Sequence, residues 1–87
     1  MSLNIVIIGA GEVGYNLTRV LSKEDYDITV VDNAPEKCSR VTNNFDARVI
    51  LGNGASQRVL QQIDMSTIDY FLALTSLTAA SNFFLTP

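Results

Sequence analysis

The chain has 87 residues, of which 47% are hydrophobic and 17% charged, and its formal net charge is -3. This length allows one domain, and the apolar content is too high for a disordered chain. The acidic balance argues against a nucleic-acid-binding module, which would carry a basic face. With one Cys and no His, the chain has no intrachain disulfide, no histidine-based catalysis and almost nothing to ligate zinc, and it fits a reducing compartment.

The first half of the chain predicts two strands and two helices. Residues 3–8 are apolar almost throughout, as in a strand buried on both faces, and they are too few to span a bilayer. A glycine-rich turn then opens a helix with four apolar residues at helical spacing: Val13, Leu17, Val20 and Leu21. Residues 28–31 predict the second strand, and Pro35 marks the start of the second helix.

The second helix is predicted to be amphipathic and to be followed by a strand, a helix and a strand. Its predicted inward residues are Cys38, Val41 and Phe45. On the opposite face, Glu36 and Arg40 have the spacing of an ion pair within one helix. Residues 47–51 predict the third strand, Ser56 caps the third helix, and residues 69–74 predict the fourth strand. The predicted inward residues of the third helix are Val59, Leu60 and Ile63.

Strands and helices therefore alternate along the whole chain. This alternation is typical of an α/β protein with a parallel sheet and helices on its faces. Right-handed crossovers then favour the strand order 3-2-1-4, which is the first part of a Rossmann-like, doubly wound nucleotide-binding sheet. We expect one domain over residues 1–87, truncated to about four strands before the rest of such a sheet.

The first glycine cluster has the spacing Gly9-x-Gly11-x-x-Gly14 and lies between a buried strand and an amphipathic helix. In this context Gly9 permits the tight turn, Gly11 lets a pyrophosphate approach the backbone, and Gly14 lets the helix pack close to the sheet. Backbone N–H groups at the helix N-terminus then attract the phosphates. The alternative is a plain glycine turn. The predicted phosphate-binding residues are Gly9, Ala10, Gly11, Glu12, Val13 and Gly14.

Asp32 ends the second strand, where an acidic residue hydrogen-bonds the ribose hydroxyls of a bound dinucleotide. Asn33 follows it rather than an Arg, so NAD(H) or an adenosine nucleotide is favoured over NADP(H). For Asp32 taken alone, the alternative is a helix or turn cap. Lys37 is a candidate phosphate contact, with a solvated helix residue as the alternative.

A second small-residue turn follows the third strand at residues 52–56. The carboxyl ends of parallel strands share one edge of the sheet, so this turn lies beside the first. Its small residues leave room for an adenine ring; the alternative is an ordinary turn with Ser56 as a cap. The candidate residues are Gly52, Asn53, Gly54 and Ala55. Thr75 and Ser76 follow the fourth strand and are candidates for a phosphate or the second ribose, or for local capping. No nucleophile–base pair is visible, so no catalytic or metal-ligating residues are predicted.

Several segments together resemble the TrkA N-terminal (RCK/KTN) domain of Trk-type potassium uptake proteins. The resemblance covers about residues 3–76 and is carried by IVIIGAGEVG at 5–14, DITVVD at 27–32, GNGAS at 52–56, VL at 59–60 and IDYFLALT at 68–75. It implies a cytoplasmic, homodimeric regulatory domain that lies on the inner face of the membrane against a potassium channel or transporter subunit. It also implies that NAD(H), or else ATP, ADP or AMP, binds and gates ion flux.

The chain departs from the family pattern after Ser76, where residues 77–82 lack the usual acidic residues. Two other interpretations remain open at this point. One is the cofactor-binding half of an NAD-dependent dehydrogenase, whose acid–base residues would lie elsewhere. The other is a degenerate fragment that keeps the fold and binds no nucleotide. Among these, the turn at residues 52–56 favours the regulatory domain, which is not an enzyme.

Overall fold

Parallel strands form a sheet in the middle of the molecule. The structure, a computed structural model, describes residues 3–54 and 56–74. In this part the strands are β1 (Asn4–Ile8), β2 (Asp27–Asp32), β3 (Arg48–Leu51) and β4 (Tyr70–Ala73). The helices are α1 (Glu12–Leu21), α2 (Pro35–Asn44) and α3 (Gln57–Gln61), and a 3₁₀ turn spans Met65–Thr67.

The strand order is β3-β2-β1-β4, as the sequence predicts. All pairs are parallel, with Ile7 of β1 opposite Val30 of β2 on one side and Leu72 of β4 on the other. Because both faces of the central strands are covered, residues Ile5–Ile8 of β1 are buried, as are Ile28, Val30 and Val31 of β2. The parallel order brings the carboxyl ends of the strands, and the turns that follow them, to one edge of the sheet.

Helices cover both faces of the sheet. On the first face α1 and α2 pack over Ile5, Ile7, Ile28 and Val30, and Val41 of α2 is fully buried there. On the second face α3 and the residues after it cover a smaller cluster, which consists of Val6, Ile8, Val31, Ile50, Val59 and Ile63. Each buried side chain of this size contributes about 1.5–3 kcal/mol, so these clusters provide most of the stability.

The predicted inward face of α1 is partly wrong. Val13 and Val20 are each 53% exposed, whereas Gly14 and Thr18 are buried. Gly14 lies so close to the preceding turn that a Cβ there would overlap the carbonyl oxygen of Gly9. This approach brings the small residues of α1 against the sheet and turns Val13 and Val20 to the side. The hydroxyl of Thr18 donates to the Gly14 carbonyl at 2.7 Å, so its burial leaves no polar group unsatisfied.

The other helices agree with the predictions in their buried residues and differ in detail. Cys38 and Val41 are buried and Phe45 is half-buried. The third helix ends at Gln61, so Ile63 reaches the core from the turn beyond it, and the Ser56 side chain makes no capping hydrogen bond. Within residues 3–54 and 56–74, no helix is long and apolar enough to cross a membrane.

Candidate nucleotide-binding cleft

A cleft of about 530 Å³ lies at the carboxyl edge of the sheet, where the turns after β1, β2 and β3 meet. Its volume is within the range of small-molecule sites in proteins. The walls combine backbone, apolar side chains and a few charged groups. The residues that line it are Ile8, Gly9, Gly11, Glu12, Val13, Gly14, Val31, Asp32, Asn33, Lys37, Gly52, Asn53, Gly54 and Leu74.

The turn between β1 and α1 forms one side of this cleft. Gly9 has a φ of 109°, a conformation that residues with a Cβ rarely adopt, and its N–H donates to the Val31 carbonyl at 2.7 Å. Gly11 caps α1 through its backbone, and no atom lies within 4 Å of where its Cβ would stand. The N-terminus of a ten-residue helix is therefore open to the cleft, where its N–H groups attract anions.

Asp32, at the end of β2, joins two of the turns that border the cleft. One carboxylate oxygen accepts a hydrogen bond from the Ala10 N–H at 2.7 Å, and the other accepts from the Ala34 N–H at 2.8 Å. This side chain therefore fixes the glycine turn and the start of α2 together. A carboxylate has about four acceptor positions, so its oxygens can still accept from ribose hydroxyls.

The turn after β3 is built closely against the other two. The Gly52 N–H donates to the main-chain carbonyl of Asp32 at 2.8 Å. A Cβ at Gly54 would overlap the side chain of Ile8, and one at Gly52 would stand 2.6 Å from Val59. Only residues without a side chain fit here unless those neighbours shift. The absence of side chains at Gly52 and Gly54 therefore leaves this end of the cleft open.

The structure brings the predicted site residues together. Of those it describes, all line the cleft except Ala10, which instead binds Asp32 through its N–H. Ala55, Thr75 and Ser76 lie outside the described residues. Sequence reasoning missed the apolar walls, which are Ile8, Val31 and Leu74. Each stands within one residue of the carboxyl end of a strand, and this position was the available signal. A role in ligand binding stays a prediction for all of these residues.

An exposed ion pair joins α1 and α2 next to the cleft. Arg40 contacts Glu12 at 3.1 Å rather than its predicted partner Glu36. The Arg40 guanidinium also lies 3.6 Å from the centre of the Tyr15 ring, and Tyr15 packs on Phe45 with ring centres 5.0 Å apart. The hydrogen bond that Arg40 donates to the Glu12 carboxylate raises the pKa of Arg40 above its ordinary value.

Cys38 lies on α2 directly behind Asp32. Its thiol donates to the main-chain carbonyl of Asp32 at 3.4 Å, and the residue is buried. Burial raises the pKa of the Cys38 thiol, and the negative charge of Asp32 raises it further. The thiol is therefore a neutral core group near pH 7 and a poor nucleophile.

This state of Cys38 has a measurable consequence. We expect a disulfide exchange reagent at pH 8 to react about tenfold or more slowly with the folded chain than with the urea-unfolded chain. A raised folded-state pKa adds stability that is complete below the unfolded pKa of about 8.5 and is lost as pH rises through the folded value. The alkaline loss of stability should therefore be smaller in Cys38→Ala, as urea titrations at several pH values would show. Equal slopes in both proteins would contradict the assignment.

The sequence matches a known protein family along most of its length. A family model described as the TrkA-N domain matches residues 5–86. The chain belongs to the TrkA-N domain family. The match includes all the turns that border the cleft, and the parallel sheet is the Rossmann-like fold expected of this nucleotide-binding, NAD-type domain.

Individual relatives agree with the family. This TrkA-N domain is 35% identical over 71 residues to the "Trk system potassium uptake protein TrkA homolog" of Methanothermobacter thermautotrophicus. It is 36% identical over 74 residues to the "Trk system potassium uptake protein TrkA" of Haemophilus influenzae. These matches cover 82% and 85% of the chain but only 33% and 16% of the relatives. The chain thus spans a third or less of the length of these relatives.

Proposed function

We propose that this TrkA-N domain binds NAD(H), with ATP, ADP or AMP as the alternative ligands, and acts as a nucleotide-sensing regulatory module of a potassium uptake system. One observation carries the proposal. Space for a phosphate above Gly11, the carboxylate of Asp32 and the glycine turn at Gly52 and Gly54 all border a single cleft at the carboxyl edge of a parallel sheet. This is the edge at which ligands bind in open α/β sheets.

The proposed ligand lies across the three turns. Its pyrophosphate binds at the N-terminus of α1, where the missing side chain of Gly11 leaves the backbone accessible. The adenosine ribose lies at Asp32, whose oxygens accept from its hydroxyl groups. The adenine ring lies against the turn at Gly52 and Gly54, between apolar walls that include Ile8. Asn33 and Lys37 border the ribose end, and Asp32 repels a 2′-phosphate there, which favours NAD(H) over NADP(H).

The regulatory part of the proposal rests on family membership. The relatives are named as Trk system potassium uptake proteins. By analogy, this domain works as a homodimer on the inner face of the membrane, against a pore subunit, and controls flux without catalysing a reaction. A ligand shifts such an assembly only by binding one of its states more tightly than the other. Ordering of the three turns around a nucleotide is the proposed source of that difference.

The proposal is tested by calorimetric titration of the 87-residue chain with NADH, NAD, ATP and AMP. We expect micromolar binding, and we expect Gly11→Ala to weaken it about tenfold or more because the new methyl group stands where the pyrophosphate approaches. The same substitution should lower the free energy of unfolding by only about 1 kcal/mol or less, since no atom lies within 4 Å of the added Cβ and the only cost is that of alanine at the N-cap. Equal affinity in Gly11→Ala would contradict the phosphate position. No binding of any nucleotide by the folded chain would contradict the function itself.

A second readout separates a binding module from the cofactor half of an enzyme. Bound NADH should keep its absorbance during prolonged incubation of the chain with aldehydes and 2-oxo acids as hydride acceptors, because the cleft is lined by backbone, apolar side chains, amides, two carboxylates and one lysine, which suit binding. Oxidation of NADH at a rate proportional to the protein concentration would contradict the regulatory interpretation.

A further inference from the structure

Glu12 brings a negative charge into the part of the cleft where phosphates are proposed to bind. It is the first residue of α1 and lines the cleft beside Gly11, and its side chain is 78% exposed. The N-terminus of a helix attracts anions, so a carboxylate at this position competes with an anionic ligand for the same field. The sequence of the turn therefore combines an attraction and a repulsion for phosphate.

Arg40 balances this carboxylate from outside the cleft. Its guanidinium contacts Glu12 at 3.1 Å and is held over the Tyr15 ring, which in turn packs on Phe45. Arg40 is not among the residues that line the cleft, whereas Glu12 is. Glu12 therefore faces the proposed ligand site, whereas Arg40 lies outside the cleft. A ligand phosphate meets the Glu12 charge reduced by Arg40 but not cancelled, since Arg40 stands farther away.

The other charged residues that line the cleft are Asp32 and Lys37, so acids outnumber bases there. A phosphate that links two sugars carries a single negative charge, whereas a terminal phosphate carries a charge of about −1.5 to −2 at pH 7. We propose that Glu12, balanced by Arg40, is a charge-selectivity residue that disfavours terminal phosphates. The cleft then prefers nucleotides whose phosphates are all internal, such as NAD(H), to ADP and ATP. This inference rests on the proposed nucleotide-binding function.

The test uses two substitutions with opposite expected effects in the 87-residue chain. Glu12→Gln removes the repulsion, and we expect it to increase ATP affinity about tenfold while NAD affinity changes about twofold or less. Arg40→Gln removes the balancing charge, and we expect it to lower ATP affinity more than NAD affinity. The control is Glu24→Gln, which makes the same change of charge just beyond the far end of α1 and should alter neither affinity.

Calorimetric titrations with ATP and NAD, at low salt and at about 0.3 M salt, give the ratio of ATP affinity to NAD affinity for each variant. The gain for ATP in Glu12→Gln should shrink at the higher salt, because the effect is between exposed charges. An unchanged ratio of ATP to NAD affinity in Glu12→Gln overturns the selectivity role, and so does an equal change in Glu24→Gln. These outcomes leave the nucleotide function intact. If neither ligand binds to the wild type or to the variants, the proposed function fails and the selectivity role fails with it.

Discussion

Gly14→Ala is expected to destabilise the domain more than any other single-methyl change in the cleft. The added Cβ would overlap the carbonyl oxygen of Gly9. Both atoms belong to rigid backbone, one in the first turn of α1 and the other in a turn whose conformation depends on a glycine φ of 109°. Relief requires α1 to move away from β1. Overpacking costs about 1–3 kcal/mol and occasionally more, and we expect the upper end here because both atoms are backbone. A domain of this size has a total stability of only about 5–15 kcal/mol.

Urea denaturation followed by circular dichroism measures this loss. The matched control is Gly11→Ala, which adds the same methyl group three residues earlier in open space. We expect its stability to fall by about 1 kcal/mol or less, which is the usual disadvantage of alanine relative to glycine at an N-cap. A urea midpoint for Gly14→Ala equal to that of the control would show that α1 does not approach the turn as closely as described.

Asp32→Ala is expected to affect both stability and ligand binding. The substitution leaves the N–H groups of Ala10 and Ala34 without their acceptor. Part-buried donors left unsatisfied cost about 1–3 kcal/mol, so we expect a loss of about 2 kcal/mol in the free energy of unfolding. The proposed contact with the ribose hydroxyls disappears as well, and its loss should weaken NADH binding by about tenfold or more.

Asp32→Asn tests the structural role of this side chain, as acceptor for two backbone N–H groups, apart from its proposed contact with the ribose. The amide keeps one acceptor oxygen and presents an NH₂ group to the other backbone donor, so it should restore about half of the lost stability. Asp46→Ala serves as the control, because Asp46 is exposed and does not line the cleft. Binding is compared at a temperature where all variants are folded. NADH affinity that is unchanged in Asp32→Ala would contradict the ribose assignment, even if stability falls.

The main features of the fold follow from the pattern of the sequence. Continuous apolar segments identify buried strands, and the handedness of the crossovers then gives the order β3-β2-β1-β4. The orientation of α1 about its own axis did not follow from the sequence pattern. Periodicity favoured Val13 and Val20 as inward residues, yet the close approach at Gly14 decides which side faces the sheet. Because glycine has no apolar side chain, a search for apolar residues at helical spacing does not identify Gly14 as an inward residue.

The site was predictable where a motif constrains the backbone and less so where side chains reach across elements. The glycine turn and Asp32 have a characteristic spacing, and the structure places them in one cleft. The bonds from Asp32 to two backbone N–H groups depend on how neighbouring turns are placed, which spacing alone does not reveal. Arg40 similarly has two acidic groups within its reach, and only the packing of α2 beside α1 selects Glu12.

The pairing of β4 with β1 has a consequence during synthesis of the chain. The partner of β1 on one side, β2, follows about twenty residues later in the chain. Its partner on the other side, β4, follows much later, and Asn4 contacts Asp69 across a separation of 65 residues. At a ribosomal rate of about 5–20 residues per second, one edge of β1 stays unpaired for roughly 3–13 s after it emerges. That edge is a run of Ile and Val that any extended chain can join. The nascent protein is therefore most prone to aggregate before β4 leaves the ribosome, and chaperones that shield apolar strands would act in this interval.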